Sequence, residues 1–169
     1  MRFVLFDRIE ELRKGEGAVL IKNISQCEDY FIDHFPGYPV VPGSIILGSF
    51  EQGSEILLGA SFDFTRRPVL RRLSRVSLRH FVVPGDQLRI DLQMEPKAPE
   101  CIKAQGWVAN KKVAEGRLEF DLIDTSDNIE AQSACDRLKG VYDLFTASPV
   151  GKVWGLWATQ SSKGEFGVP

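Results

Sequence analysis

His34 is the one residue of this 169-residue chain whose surroundings single it out as a base. It opens the stretch HFPGYPVVPG, His34 to Gly43, in which three prolines and two glycines constrain the backbone. Pro42 and Gly43 read as the first turn of a helix, where a missing proline N–H costs nothing and the amides that follow have no intrahelical partner. Free amides at a helix start hold an oxyanion. A histidine of ordinary pKa, near ~6.5, takes up a proton at neutral pH if it is held neutral and oriented. An imidazole beside such amides therefore suits proton abstraction next to an acyl carbonyl, whose enolate oxygen carries the developing charge. A lone loop histidine is more often a surface or satisfied core residue, and the flanking motif argues otherwise here. His80, in Arg79-His80-Phe81, has no such setting and reads as structural. Two histidines this far apart imply no metal site.

A second group follows on the helix. Positions 48, 51, 52 and 55 share one face, so Gly48, Glu51, Gln52 and Glu55 form a polar stripe on an otherwise apolar segment. A helix rises ~1.5 Å per residue and its side chains lean towards its amino end, so Glu51 is expected to bend back over the space Gly48 leaves empty. Glu51 would there act as a proton donor. The plainer alternative is a solvated or ion-paired carboxylate. Asp33 reads as a turn residue, and Tyr38 either lines the site or packs in the core.

These residues need a scaffold. Gly17 to Ile24 reads as a strand, and the loop with Pro36, Pro39 and Pro42 leads into a helix from Gly43 to Leu58. Val69 to Val83, Gln87 to Met94, Ile102 to Val108 and Val113 to Ile123 read as strands, with turns at Pro84-Gly85 and Asn110-Lys111. One helix against an antiparallel sheet is an α+β arrangement. Ala134, Leu138, Val141, Tyr142 and Phe145 recur at helical spacing and predict an amphipathic helix over Ile129 to Thr146. The stretch Ala147 to Pro169, with Trp154 and Trp157 among Gly and Ser, reads as a tail that docks locally.

The stretch His34 to Gln52, HFPGYPVVPGSIILGSFEQ, resembles the 3-hydroxyacyl-acyl-carrier-protein dehydratases, hot-dog-fold enzymes of fatty acid synthesis. The likeness extends to Phe6–Ser25, to EDYFIDHFPG, to VVPGDQL and to GWVANKKVAEGRLEF, in the family's order and spacing. It implies a hot-dog fold over residues 1–125, followed by a helical extension and tail over 126–169 that lie outside the resemblance. It also implies that His34 is the catalytic base and that the Gly43 N–H faces the thioester carbonyl. Phe35, Pro36, Gly37, Pro42, Ser44, Gly48 and Gln52 then line the substrate site. The family carries its second catalytic residue, an acid, five positions after the glycine that opens the helix. That position is Gly48 here. Glu51 is the candidate substitute, and without one a slow enzyme is expected, since a positioned general acid contributes ~10²–10⁴ in rate.

The resemblance implies no cofactor, a substrate carried on acyl carrier protein or coenzyme A, and a homodimer whose sites span the interface. A chain with the base but without the acid could instead be one half of a heterodimer with a related subunit, or an acyl-binding partner. A third alternative is an acyl thioesterase, since related hot-dog proteins hydrolyse thioesters with an acid on the same helix. Acyl carrier proteins are acidic, and Arg71, Arg75 and Arg79, sharing one strand face opposite Val76, Leu78 and Val82, form a candidate docking stripe. A solvated strand face that discourages edge pairing is the alternative.

Composition sets the remaining bounds. With 43% hydrophobic and 26% charged residues, the chain suffices for a single well-buried core. A net charge of -2 argues against general nucleic-acid binding. No apolar run reaches the roughly twenty residues of a membrane span, and MRFVLFDR is too short for a signal peptide. A cytoplasmic setting is expected, with Cys27, Cys101 and Cys135 as free thiols.

Overall fold

The computed structural model describes residues 4–126 and 128–146. Strands β1 (Arg8–Arg13) and β2 (Gly17–Asn23) form a hairpin, and a 3-10 turn at Asp29–Ile32 precedes the proline-rich loop. Helix α1 (Gly43–Ser61) follows, then β3 (Arg66–Leu78), β4 (Gln87–Glu95), β5 (Ala98–Val108), β6 (Lys111–Asp124) and helix α2 (Ile129–Thr146). The strands make one antiparallel sheet in the order β1-β2-β4-β5-β6-β3. That leaves β1 and β3 at its edges.

Alternation gives the sheet an apolar face for α1. Leu88, Ile90, Leu92 and Met94 point inward from β4 while Arg89, Asp91 and Gln93 face water. Phe50, Ile56 and Leu57 of α1 bury against Leu20, Ile90, Leu92, Ile102, Leu118 and Phe120. Gly53 allows the helix to lie this close, because a Cβ there would stand 2.8 Å from a methyl of both Leu20 and Leu92. The helix runs three residues past the expected Leu58, since Gly59 and Ala60 are small, buried and still helical.

The strand boundaries shift for physical reasons. The segment expected as one strand from Val69 to Val83 begins earlier, at Arg66, and ends at Leu78. Beyond it the chain leaves the sheet, and the Val82 carbonyl instead accepts the Val41 N–H at 2.8 Å, tying this loop to the one before α1. The β5–β6 turn falls on Ala109 and Asn110, both at positive φ, one residue before the expected Asn110-Lys111. Lys22 is buried on β2 and paired with Glu28 at 2.8 Å, which offsets the cost of placing an ammonium in the interior.

Helix α2 has the expected bounds. Asn128 caps it, its side-chain oxygen accepting the Ala131 N–H at 2.9 Å. Ala131, Cys135 and Leu138 are buried against α1 and β3, and Phe145 lies on Phe6 at 4.9 Å between ring centres. The helix thus shares the core of the residues before it. The tail expected over 147–169 lies outside the described residues. Among the described residues, no helix is long and apolar enough to cross a membrane.

Candidate active site

The proline-rich loop holds the histidine through its backbone. Phe35 and Tyr38 exchange amide bonds across Pro36 and Gly37, and Gly37 takes the positive φ of +80° that such a turn requires. This turn keeps Phe35, Pro36, Gly37 and Tyr38 exposed, with the Phe35 ring stacked on His34 at 4.2 Å. The backbone of His34 is itself fixed at both ends, donating to the Tyr30 carbonyl at 3.0 Å and accepting from the Val40 amide at 3.1 Å. Its Nδ1 lies 2.9 Å from the Val40 carbonyl. A carbonyl only accepts, so Nδ1 carries the proton and Nε2 presents a lone pair. The ring is thereby anchored three residues before α1 begins.

Pro42 caps α1 and its carbonyl accepts from Ile45 and Ile46, which leaves the Gly43 and Ser44 amides in the unpaired first turn. Gly43 lies under Leu78, the last residue of β3, whose methyl would stand 2.4 Å from a Cβ at that position. Any larger residue would displace Leu78 from the helix tip.

The expected space beside Gly48 is filled. A Leu5 methyl lies 2.9 Å from where a Gly48 Cβ would be. The amino-terminal segment is strapped there by the Leu5 N–H donating to Gln52 Oε1 at 2.8 Å and the Ser49 hydroxyl donating to the Leu5 carbonyl at 3.0 Å. Gln52 thus holds the strap, a contact the sequence did not suggest. Glu51 lines a cavity of about 340 Å³ between α1 and α2, walled by Leu5, Gly48, Gln52, Glu55, Arg67, Pro68, Cys135, Arg137 and Leu138. Burial, and then the neighbouring Glu51 charge, push the Glu55 carboxyl up to about 7, against the opposing pull of Arg67. Among the described residues, neither Glu51 nor Glu55 makes an ion pair. His34 does not line this cavity, so a single subunit does not join base and carboxyls there.

A FabA-like domain model matches residues 1–117. The chain belongs to the FabA-like family. It is 37% identical over 121 residues to the 3-hydroxyacyl-[acyl-carrier-protein] dehydratase FabZ of Pelotomaculum thermopropionicum, covering 70% of this chain and 86% of that one. The fold matches the dehydratase heterocomplex ApeI:P from Xenorhabdus doucetiae with a TM-score of 0.55 at 16% identity, over 65% of this chain and 91% of that one. It matches a hot-dog-like protein from Thermanaerovibrio acidaminovorans with a TM-score of 0.56 at 14% identity, over 75% and 93% of the two chains. The hot-dog fold follows.

Helix α2 lies beyond the residues matched to the FabA-like family and supplies Cys135, Arg137 and Leu138 to the cavity. Sequence reasoning placed Glu55 on the polar stripe but missed Leu5, Arg67 and the roof from α2. The signal for Leu5 was the glycine at 48 itself, a gap on a helix face that another side chain fills. The arginines depart from a single face. Register shifts between Leu70 and Arg72 and between Ser74 and Ser77 break the strict alternation, Arg75 has a φ of +51°, and Arg79 lies beyond the strand. Arg71 faces Glu119 at 3.4 Å and Asp121 at 3.6 Å, and Arg79 pairs with Glu115. Val76 and Leu78 remain exposed rather than forming a buried opposite face.

Proposed function

We propose that this chain dehydrates 3-hydroxyacyl thioesters, on acyl carrier protein or coenzyme A, to trans-2-enoyl thioesters in acyl-chain synthesis. The observation that carries the reading is the His34 Nδ1 bond to the Val40 carbonyl, which leaves Nε2 as a base beside the amide-rich start of α1. Nε2 takes the proton from C2, and the electron pair moves into an enolate whose oxygen accepts the Gly43 N–H. Collapse of the enolate forms the C2–C3 double bond and expels the C3 hydroxyl, which needs a proton to leave as water. Pro42 and Ser44, with Phe35 to Gly37, frame the acyl group in this reading. No cofactor takes part.

A homodimer belongs to the same proposal. Val76 (42%), Leu78 (50%), Phe81 (72%) and Tyr38 (61%) stay exposed at one end of the thirteen-residue edge strand β3, an apolar surface that a second copy would cover. Antiparallel pairing of two β3 strands about a two-fold axis sets the Leu78 end of one against the Arg66 end of the other. Leu78 lies on Gly43, and Arg67 and Pro68 line the carboxyl cavity. Such a dimer therefore brings His34 of the partner subunit towards Glu51 and Glu55. Arg75, which makes no ion pair among the described residues, is the arginine of the trio most available to an acidic carrier, with Arg71 and Arg79 flanking it. The three free cysteines suit a reducing cytoplasm.

One observation favours a second reading. With Leu5 seated against Gly48, the chain could be the acid-deficient half of a heterodimer, its proton donor coming from a related subunit. Absorbance of the conjugated enoyl thioester, followed with the purified chain alone and then with an acid-bearing relative added, separates the readings. Turnover by the chain alone supports the homodimeric dehydratase. Turnover only in the mixture transfers the acid to the partner, and release of free thiol without enoyl product identifies a thioesterase.

A further inference from the structure

The cavity between α1 and α2 presents two carboxyls that proton abstraction by His34 does not use. Leu5 closes its Gly48 end, so a hydroxyl entering it meets the carboxyls one and two turns further along α1. The groups around Glu55 come from each packed element: Glu51 on α1, Arg67 on β3, and Cys135 and Arg137 on α2, while Leu5 of the amino-terminal strap adds an apolar wall and the positive charge of the chain's amino terminus acts from further off. Arg137 donates to Ser133 and neither guanidinium is ion-paired to Glu55. Among the described residues no cation is ion-paired with Glu55, and burial outweighs the pull of Arg67 towards the ionised form.

We infer that Glu55, facing substrate held on His34 of the partner subunit, donates the proton to the departing hydroxyl in place of the acid missing at position 48. This rests on the dehydratase reading above. The balance is simple: His34 gains the C2 proton, Glu55 loses its own to the C3 oxygen, and the C3–O bond breaks as the C2–C3 double bond forms. Water leaves, and transfer of a proton from imidazolium to the Glu55 carboxylate resets the pair. Glu51 is then a positioning residue: burial does most to keep a proton on Glu55, and the Glu51 carboxylate on the neighbouring turn adds to it.

The test is the pH profile of kcat for enoyl formation by the full chain, between about pH 5 and 9, alongside three variants. Wild type should lose activity as pH rises through the Glu55 range. Glu55→Gln should lower kcat by about 10²–10⁴-fold and abolish that alkaline limb. Glu51→Gln should cost far less at the acid end and move the limb to lower pH, because a like charge is removed; Arg67→Gln should move it to higher pH. A Glu55→Gln enzyme with wild-type rate and profile overturns the inference alone, as does a Glu51→Gln enzyme that suffers the loss expected of Glu55→Gln. Should Glu55→Gln fail to fold, Glu55→Asp serves: a lower rate with the limb retained supports the donor, and an unchanged rate overturns it. A wild type that turns over only with an acid-bearing relative added overturns this inference alone, and one without turnover in either setting overturns the dehydratase reading with it.

Discussion

Gly48 and Gly53 sit five residues apart on α1 and face neighbours of different stiffness. A methyl on Gly48 meets only the end of the Leu5 side chain, whereas one on Gly53 meets Leu20 and Leu92 inside the packed core. Replacing a helical glycine by alanine gains about 1 kcal/mol of propensity. Gly48→Ala should therefore keep or raise Tm, while Gly53→Ala should lower stability by about 1–2 kcal/mol, because overpacking outweighs that gain. Equal Tm changes in thermal unfolding would contradict the packing described. At this scale the sequence was informative where the cause is local: the loop with Pro36, Pro39 and Pro42 and the helix start at Pro42-Gly43 follow from residues a few positions apart. Leu5 was not legible, since its seat against Gly48 depends on a strap closed through Gln52 and Ser49, more than forty residues away.

At the scale of elements, α2 emerged from its 3.6-residue periodicity with its bounds intact, because the apolar stripe that packs is the stripe that repeats. The same stripe makes a prediction. Leu138→Ala, at a buried position against Gly59, should cost about 2–4 kcal/mol in chemical denaturation, and a cost under about 0.5 would mean that α2 is not packed there. Glu28→Ala would leave the buried Lys22 ammonium unpaired and should cost on the order of 2–3 kcal/mol. The strand β3 was harder to read. Its bulges arise from register against β6, and partner residues 36 (Leu78 to Ala114) to 58 (Arg66 to Asp124) positions on leave no mark in the local alternation.

Over the whole molecule, the antiparallel order was within reach only through the family likeness, since nothing local dictates that β3 closes on β6 at the far edge. The cavity was less legible still, assembled as it is from the amino-terminal strap, α1, β3 and α2. Its Glu55 links stability to pH. The folded-state pKa lies above the unfolded one, so the folded chain holds the proton more tightly, and stability falls as pH rises from about 4.5 through about 7. Glu55→Gln should flatten that part of the stability profile; a slope equal to that of wild type would contradict it. At the level of assembly, Leu78→Asp should give a monomer in sedimentation, with a dimer at wild-type affinity counting against the β3 interface.

The proposed dehydration depends on His34, held through Nδ1 by the Val40 carbonyl, acting as the base at the tip of α1. Its most direct test is enoyl thioester formation by His34→Gln at neutral pH, measured beside a control showing intact folding. A fall of about 10²–10⁴-fold in kcat, with thioester binding largely kept, is the expected result. Undiminished turnover in that variant would rule His34 out as the base.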